Sequence, residues 1–232
     1  MNPWTELGVA QIPNDGGVLK LLRREQEFSI RLSGIRGELM NSRAYNSEQQ
    51  LAVLGCNPIK SNNQAKVIVG GMGMGFTLAA ALETMPANAT VIVADLIPEV
   101  IEWNRGPLGE CAGRPLDDSR TQVHVGDVGE LLVERNQAYD AVLLDVDNGP
   151  EGLTHSDNNW LYSIDGINEI FNSLRPEGML AVWSASPDSL FAIRLKKAGF
   201  QVELRTVRER PGKGSRHTIF LAKKPSRHTR KK

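Results

Sequence analysis

Apolar positions along the chain follow two regimes. Between residues 18 and 40 they alternate with polar ones. Val18-Leu19-Lys20-Leu21-Leu22-Arg23 and Glu27-Phe28-Ser29-Ile30-Arg31-Leu32 place their apolar side chains on one face, as half-buried strands do. Ser33-Gly34 reads as a turn and residues 35–40 as a third strand. Such a small antiparallel cap is too thin to stand alone and must pack on something. Before it, residues 1–15 read as a loose entry segment, with Pro3, Pro13 and the turn Asn14-Asp15-Gly16-Gly17. After it, residues 47–54 form a helix stopped by Gly55 and Asn57-Pro58, and residues 59–65 a polar connection.

From Lys66 onward the apolar runs become continuous and alternate with helical patterns. Strands are predicted at 66–69, 90–94, 121–125, 139–146 and 178–184, and helices at 76–85, 98–104, 128–136, 164–174 and 189–198. Continuous apolar strands separated by helices imply a parallel sheet covered on both faces. The last two strands, 201–207 and 217–222, are joined by residues 208–216, too few for a crossover helix, so they pair antiparallel. The expected fold is α/β: a seven-stranded Rossmann-like sheet, mostly parallel, with an antiparallel C-terminal hairpin and a small N-terminal antiparallel β cap. That strand arrangement is similar to S-adenosylmethionine-dependent methyltransferases. The predicted organisation is a cap and linking helix over 1–60, a nucleotide-binding domain over 61–223, and a basic, disordered tail over 224–232.

The totals narrow the partners. Lys plus Arg and Asp plus Glu both number 27 among 232 residues, so no net field favours nucleic acid. No apolar run nears the roughly 20 residues that span a bilayer. Met1-Asn2-Pro3-Trp4 has no basic segment before an apolar core, so no signal sequence is expected. Cys56 and Cys111 have no metal-ligand spacing and cannot make a disulfide framework. A cytoplasmic protein without a bound metal is expected.

The chemistry concentrates at strand ends, where a doubly wound sheet binds its ligands. Val67-Ile68-Val69 runs into glycines at Gly71, Gly73 and Gly75, and a helical stretch follows: a strand, a tight turn and a helix N-terminus that suit a nucleotide. The glycines remove Cβ atoms where a ligand must press on the backbone. The next strand ends at Asp95, 20 residues beyond Gly75, where a carboxylate can take both hydroxyls of a ribose. The third ends at Gly126-Asp127, which can accept from an adenine amino group or simply cap the following helix. The fourth ends at Asp145-Val146-Asp147-Asn148. A dinucleotide site is disfavoured because its third glycine falls at Phe76, and a mononucleotide P-loop is excluded because no Lys-Ser or Lys-Thr follows the glycines.

Gly70-Gly71-Met72-Gly73-Met74-Gly75, Ala94-Asp95-Leu96-Ile97-Pro98, His124-Val125-Gly126-Asp127 and Tyr139-Asp140-Ala141-Val142-Leu143-Leu144-Asp145 together resemble the spermidine synthase family, in particular its short bacterial relatives. The likeness runs from about Val18 to Ala222. It implies cofactor contacts at Gly71, Met72, Gly73, Gly75, Asp95, Leu96, Asp127, Val128 and Asp145, with Asp95 on the ribose and Asp127 on the adenine side. Asp145 would face the reacting amine, with Asp147 as second catalytic candidate, and a homodimer would form through the cap. Acceptor contacts are expected from Tyr45, Asn148, Trp160 and Tyr162.

The chain departs from the family pattern where that pattern is anionic. The mid-loop aspartate that grips the amine of decarboxylated S-adenosylmethionine is Gly73 here, a second strand-four aspartate is Asn148, and Tyr45-Asn46-Ser47-Glu48 stands near the family's Tyr-His-Glu cluster. On that ground the first expectation is methyl transfer from intact S-adenosylmethionine to a small amine. The alternatives are aminopropyl transfer from decarboxylated S-adenosylmethionine and binding of S-adenosylmethionine without catalysis. Arg208 to Arg216 is read as a solvated, cation-rich hairpin loop.

Overall fold

Four strands, β1 (Thr5–Ile12), β2 (Gly17–Arg24), β3 (Glu27–Leu32) and β4 (Met40–Asn41), form an antiparallel sheet in that order. The computed structural model describes residues 2–13, 16–34, 37–146 and 160–226. The expected loose entry segment is therefore corrected: most of it is β1, paired with β2 from Thr5↔Arg23 to Ile12↔Gly17. A bulge between Glu6 and Gly8 breaks the alternation that would have betrayed the strand. Gly8 is bare because the Trp103 indole lies against it, 2.5 Å from where a Cβ would stand. The third strand is shorter than predicted, only Met40–Asn41, while the turn at Asn14-Asp15 and the start at Ile35-Arg36 lie outside the described residues.

Helix α1 (Asn46–Cys56) follows, and it does not stop at Gly55. That glycine is a contact point: a Cβ there would stand 2.4 Å from Leu143 Cδ2 and 3.1 Å from the Ala181 Cβ. Its absence lets the helix lie directly on the sheet.

The sheet itself is built from β5 (Lys66–Gly70), α2 (Phe76–Thr84), β6 (Thr90–Asp95), α3 (Pro98–Arg105), β7 (Thr121–Val125), α4 (Val128–Leu132), β8 (Tyr139–Leu144), α5 (Ile164–Ser173), β9 (Leu174–Ser184), α6 (Ser189–Lys197), β10 (Gln201–Arg210) and β11 (Lys213–Lys223). Spatial order is β10-β11-β9-β8-β5-β6-β7, and β11 alone runs antiparallel to its neighbours β9 and β10. The seven-stranded, mostly parallel sheet with its C-terminal hairpin and separate N-terminal cap is thus as the apolar pattern implied. Several bounds differ. Helix α4 ends at Leu132, short of the predicted 136, because Glu134 and Gln137 take left-handed backbone angles of 57° and 49°. The hairpin strands run on to Arg210 and from Lys213, so the expected 208–216 loop is mostly ladder with a turn at Pro211-Gly212.

Every residue of β8 is buried, since apolar layers cover both faces of the sheet. One layer joins Leu51, Val67, Val69, Leu78 and Leu143 to cap residues Ile12, Leu19, Leu21 and Ile30, so the thin cap gains the support it needs. The other joins Val142, Leu144, Ile167, Ile170, Phe191, Leu195 and Phe220. Asp140 lies at the amino end of β8, away from the glycine turn, and accepts from Asn62 Nδ2, Lys66 N and Arg175. Its part in the sequence motif is structural. No helix among the described residues is long and apolar enough to cross a membrane.

Candidate active site

Strand order reverses beside β5: the chain leaves toward β6 and β7, then returns to β8 on the other side. The carboxyl ends of β5 and β8 therefore face an opening that no crossover helix covers. Gly71 sits at this point with φ +90°, and a Cβ on it would come within 2.4 Å of the Asp145 carbonyl oxygen. Only glycine allows the two strand ends to converge so tightly. The result is a cavity of about 400 Å³, roofed by the β cap and walled by α1 and the β10–β11 hairpin.

Gly71, Met72, Gly73, Asp95, Leu96, Asp127, Val128 and Asp145, the residues expected to hold a nucleoside, all line it. Asp95 Oδ2 accepts from Met72 N at 2.8 Å and Oδ1 from Ile97 N at 2.9 Å, which fixes the glycine turn to the end of β6. Burial raises the Asp95 pKa, while backbone N–H groups of Ile97, Met72 and Gly73 oppose the shift. Each carboxylate oxygen keeps a lone pair for ribose hydroxyls. Asp127 caps α4 through Gly129 N at 2.8 Å and also lines the cavity.

Other expectations need correction. Gly75 is the left-handed N-cap of α2, φ +86°, and shapes the turn without lining the cavity. Tyr45 also stays off the wall and stacks on Phe76, ring centres 4.7 Å apart; Phe76 is the lining residue. Tyr162 is buried in the core, edge-on to Phe191, with its hydroxyl donating to Val146 O. Its apolar ring is used to dock the start of α5. Trp160 lines a separate surface recess with Asp127, Gly129 and Glu130. Asp147 and Asn148, with the rest of residues 147–159, lie outside the described residues.

The cavity holds groups the sequence reading left out. Glu48 reaches in from the first turn of α1, and Glu209 and His217 from the hairpin. Asp145 is half-buried, accepts from Thr77 Oγ1 at 2.5 Å, and has its pKa pushed up to about 6 by desolvation against that hydrogen bond. Glu48 is pushed up to about 7, first by burial, then by the charge of Asp145, with a smaller push from Glu209. Both carboxyl groups therefore titrate well above the ordinary carboxylate range, Glu48 in part because of the Asp145 charge. Such a pair holds a cation or takes a proton from one. Helix spacing could have flagged Glu48, four residues before the buried Ala52, but a weakly amphipathic first turn does not say which face meets a cavity.

The comparisons with known proteins bear on this arrangement. Residues 47–193 match the family model described as the spermine/spermidine synthase domain. The chain belongs to that family. A polyamine aminopropyltransferase of Sulfolobus acidocaldarius is 28% identical over 129 residues, covering 56% of this chain and 41% of the relative. One from Prochlorococcus marinus (strain AS9601) is 28% identical over 136 residues, covering 58% of this chain and 46% of the relative. The chain thus spans less than half the length of the curated relatives it matches. Among solved structures, a spermidine synthase in complex with the transition state analogue AdoDATO superposes with TM-score 0.70 at 16% identity, over 94% of this chain and 72% of that one. The spermidine synthase of Thermotoga maritima gives 0.70 at 15%, with the same coverage. These two share the fold.

Family membership corrects the first functional expectation. Methyl transfer from intact S-adenosylmethionine rested on anions missing at Gly73 and Asn148, yet the curated relatives are named polyamine aminopropyltransferases. The physical reason for the error is that the count of anions stopped at the glycine turn and the strand ends, whereas Glu48 and Glu209 bring carboxylates to the cavity from α1 and the hairpin.

Proposed function

We propose that the chain transfers an aminopropyl group from decarboxylated S-adenosylmethionine to a small amine acceptor of the polyamine type. The observation that carries this reading is the half-buried Glu48–Asp145 pair, both titrating high, on the same cavity as Asp95, Asp127 and Glu209. Such a lining suits two cationic substrates, the aminopropyl sulfonium and the amine. Asp95 would hold the ribose and Asp127 the adenine side, with Met72, Leu96 and Val128 flanking the nucleoside. The donor has no carboxylate, so no dedicated anion-binding residue is needed beside Gly73; its ammonium would meet the carboxylates of the lining.

Chemistry then demands alignment more than activation. The amine nitrogen attacks the methylene carbon next to sulfur, the carbon–sulfur bond breaks, and its electron pair stays on sulfur as a neutral thioether nucleoside. The amine must be neutral to attack and sheds a further proton as the bond forms. Asp145, held by Thr77, would accept it, with Glu48 as the neighbouring carboxyl. Positioning the reacting atoms at about 3–3.5 Å is worth several kcal/mol of barrier.

The test is incubation of the purified protein with decarboxylated S-adenosylmethionine and an alkyl diamine, followed by mass spectrometry. The expected products are the thioether nucleoside and a diamine enlarged by one aminopropyl group. A diamine left unchanged, or one carrying only a methyl group from intact S-adenosylmethionine, would refute the proposal.

A further inference from the structure

The seven-stranded sheet ends at β10, and no strand among the described residues pairs with its outer edge. Residues 201–207 run in unbroken register with β11, from Gln201↔Lys223 to Val207↔His217, and the irregularity comes only between Arg208 and Arg210. Arg208 O accepts from Asn46 Nδ2 at 2.7 Å, so the start of α1 closes that end of the edge. What stays open is Gln201 to Val207, with Leu204 at its centre. Edge strands that remain alone are guarded by lysine, proline or a bulge, because bare N–H and C=O groups invite another strand. None of these guards stands within 201–207.

The side chains of this run divide by face. Val202 packs into the layer of Phe191 and Leu195, so Leu204 shares that face. Val207 packs into the opposite layer, so Glu203 and Arg205 share the other. All three central side chains meet solvent: Leu204 is 43% exposed, and the Glu203 and Arg205 side chains are 57% and 54% exposed. Within the chain the two charges pair at 2.7 Å, and a pair so exposed contributes little to the monomer.

Symmetry tests a second copy as the occupant. Two copies of one strand pair antiparallel about a two-fold axis normal to the sheet, which keeps each face with its own. An axis through Leu204 pairs the whole open run with itself, from Gln201 opposite Val207 to Val207 opposite Gln201. Glu203 then lies opposite the partner's Arg205, Arg205 opposite the partner's Glu203, and Leu204 opposite its own counterpart. The four charges form a square of alternating sign. Moving the axis to either neighbouring residue sets Glu203 against Glu203 or Arg205 against Arg205, and a half-step opposes the two faces.

We infer that β10 is a self-docking edge: two copies of this chain join through residues 201–207 about an axis at Leu204, continuing one sheet into the other. Main-chain hydrogen bonds supply the affinity, and the charges fix the register. The contact lies on the hairpin and not on the cap. It bears on the cavity as well, since β10 carries Glu209 and a paired strand steadies its hairpin.

Sedimentation velocity of the whole protein, from about 1 to 100 μM, is expected to show a monomer–dimer equilibrium. Glu203→Arg and Arg205→Glu each set like charges in opposition and should weaken association about tenfold or more. The double exchange, Glu203→Arg with Arg205→Glu, restores opposite signs and should return association to within about threefold of wild type. Hydrogen exchange on the unaltered protein is the second measure: protection of backbone amides within 202–206 should rise with protein concentration. A monomer throughout the range, a dimer indifferent to both single exchanges, or a double exchange as weak as the singles would overturn the inference. So would concentration-dependent protection confined to the cap strands. Because hydrogen exchange needs no variant, a misfolded variant does not rescue the idea, and none of these outcomes touches the aminopropyl-transfer reading.

Discussion

Replacing Glu48 by Gln keeps the side chain's shape and removes its ionisation. In the folded chain Glu48 titrates at about 7 against an ordinary 4.5, because it is half-buried and faces Asp145. Over that interval the unfolded chain has released the proton and the folded chain still holds it. Stability is therefore fully present below the ordinary value and is lost as pH rises through the folded one. At 1.36 kcal/mol per pH unit the loss approaches about 3 kcal/mol above about pH 8, an upper figure because the pair titrates as a unit. For a chain of this size that corresponds to about 6–12 °C in melting temperature. Thermal melts of both proteins between about pH 5 and pH 8 should show the variant gaining on the wild type as pH rises, from near equality to several degrees. The difference between the two is the readout, because other groups titrate as well. Asp95, raised by burial, adds to the wild-type decline, whereas His217, lowered by burial, favours the folded state as pH rises through its range. A gap that stays constant across pH, or shrinks as pH rises, would refute the raised titration of Glu48.

Three further outcomes follow from the geometry. Asp95→Ala leaves Met72 N and Ile97 N without their acceptor and should cost more than about tenfold in affinity for decarboxylated S-adenosylmethionine by calorimetry; affinity within about twofold of wild type would remove Asp95 from the ribose. Gly73→Asp places a carboxylate beside the tip of Met40, its Sδ lying 3.3 Å from the new Cβ; the left-handed φ of +49° costs stability, but the decarboxylated donor should bind about tenfold more tightly relative to the intact one. An unchanged ratio between the two donors would show that the donor's ammonium lies elsewhere. Gly55→Ala drives a methyl group into Leu143 and should lower stability by about 1–3 kcal/mol in denaturant titration, and an unaltered midpoint would mean that α1 does not seat so closely.

The strand-end half of the cavity was legible because its signals are local. Gly71, Asp95, Asp127 and Asp145 each end a continuous apolar strand, and a parallel sheet sends all strand ends to one side. The other half was not, because it is assembled from distant segments. Glu48 stood only in a segment near the family's acidic cluster, Glu209 in an expected solvated loop and His217 at the start of a strand, until the fold turned all three inward. Trp160 and Tyr162 misled for the opposite reason: aromatic rings after a catalytic strand satisfy packing as readily as binding, and at Tyr162 packing won. The strand β1 was hidden by its own bulge, and Gly55 passed for a stop signal because a close contact leaves the same trace as a helix end. The functional expectation failed at the same boundary, since it counted anions by sequence position while the cavity counts them by direction.

The bond from Asn46 to the carbonyl of Arg208 joins residues 162 positions apart. As the chain emerges from a ribosome, the glycine turn and the strand-end carboxylates are complete long before the hairpin exists. The cavity wall is therefore finished only once the last two strands have been made and paired, however early the glycine turn forms.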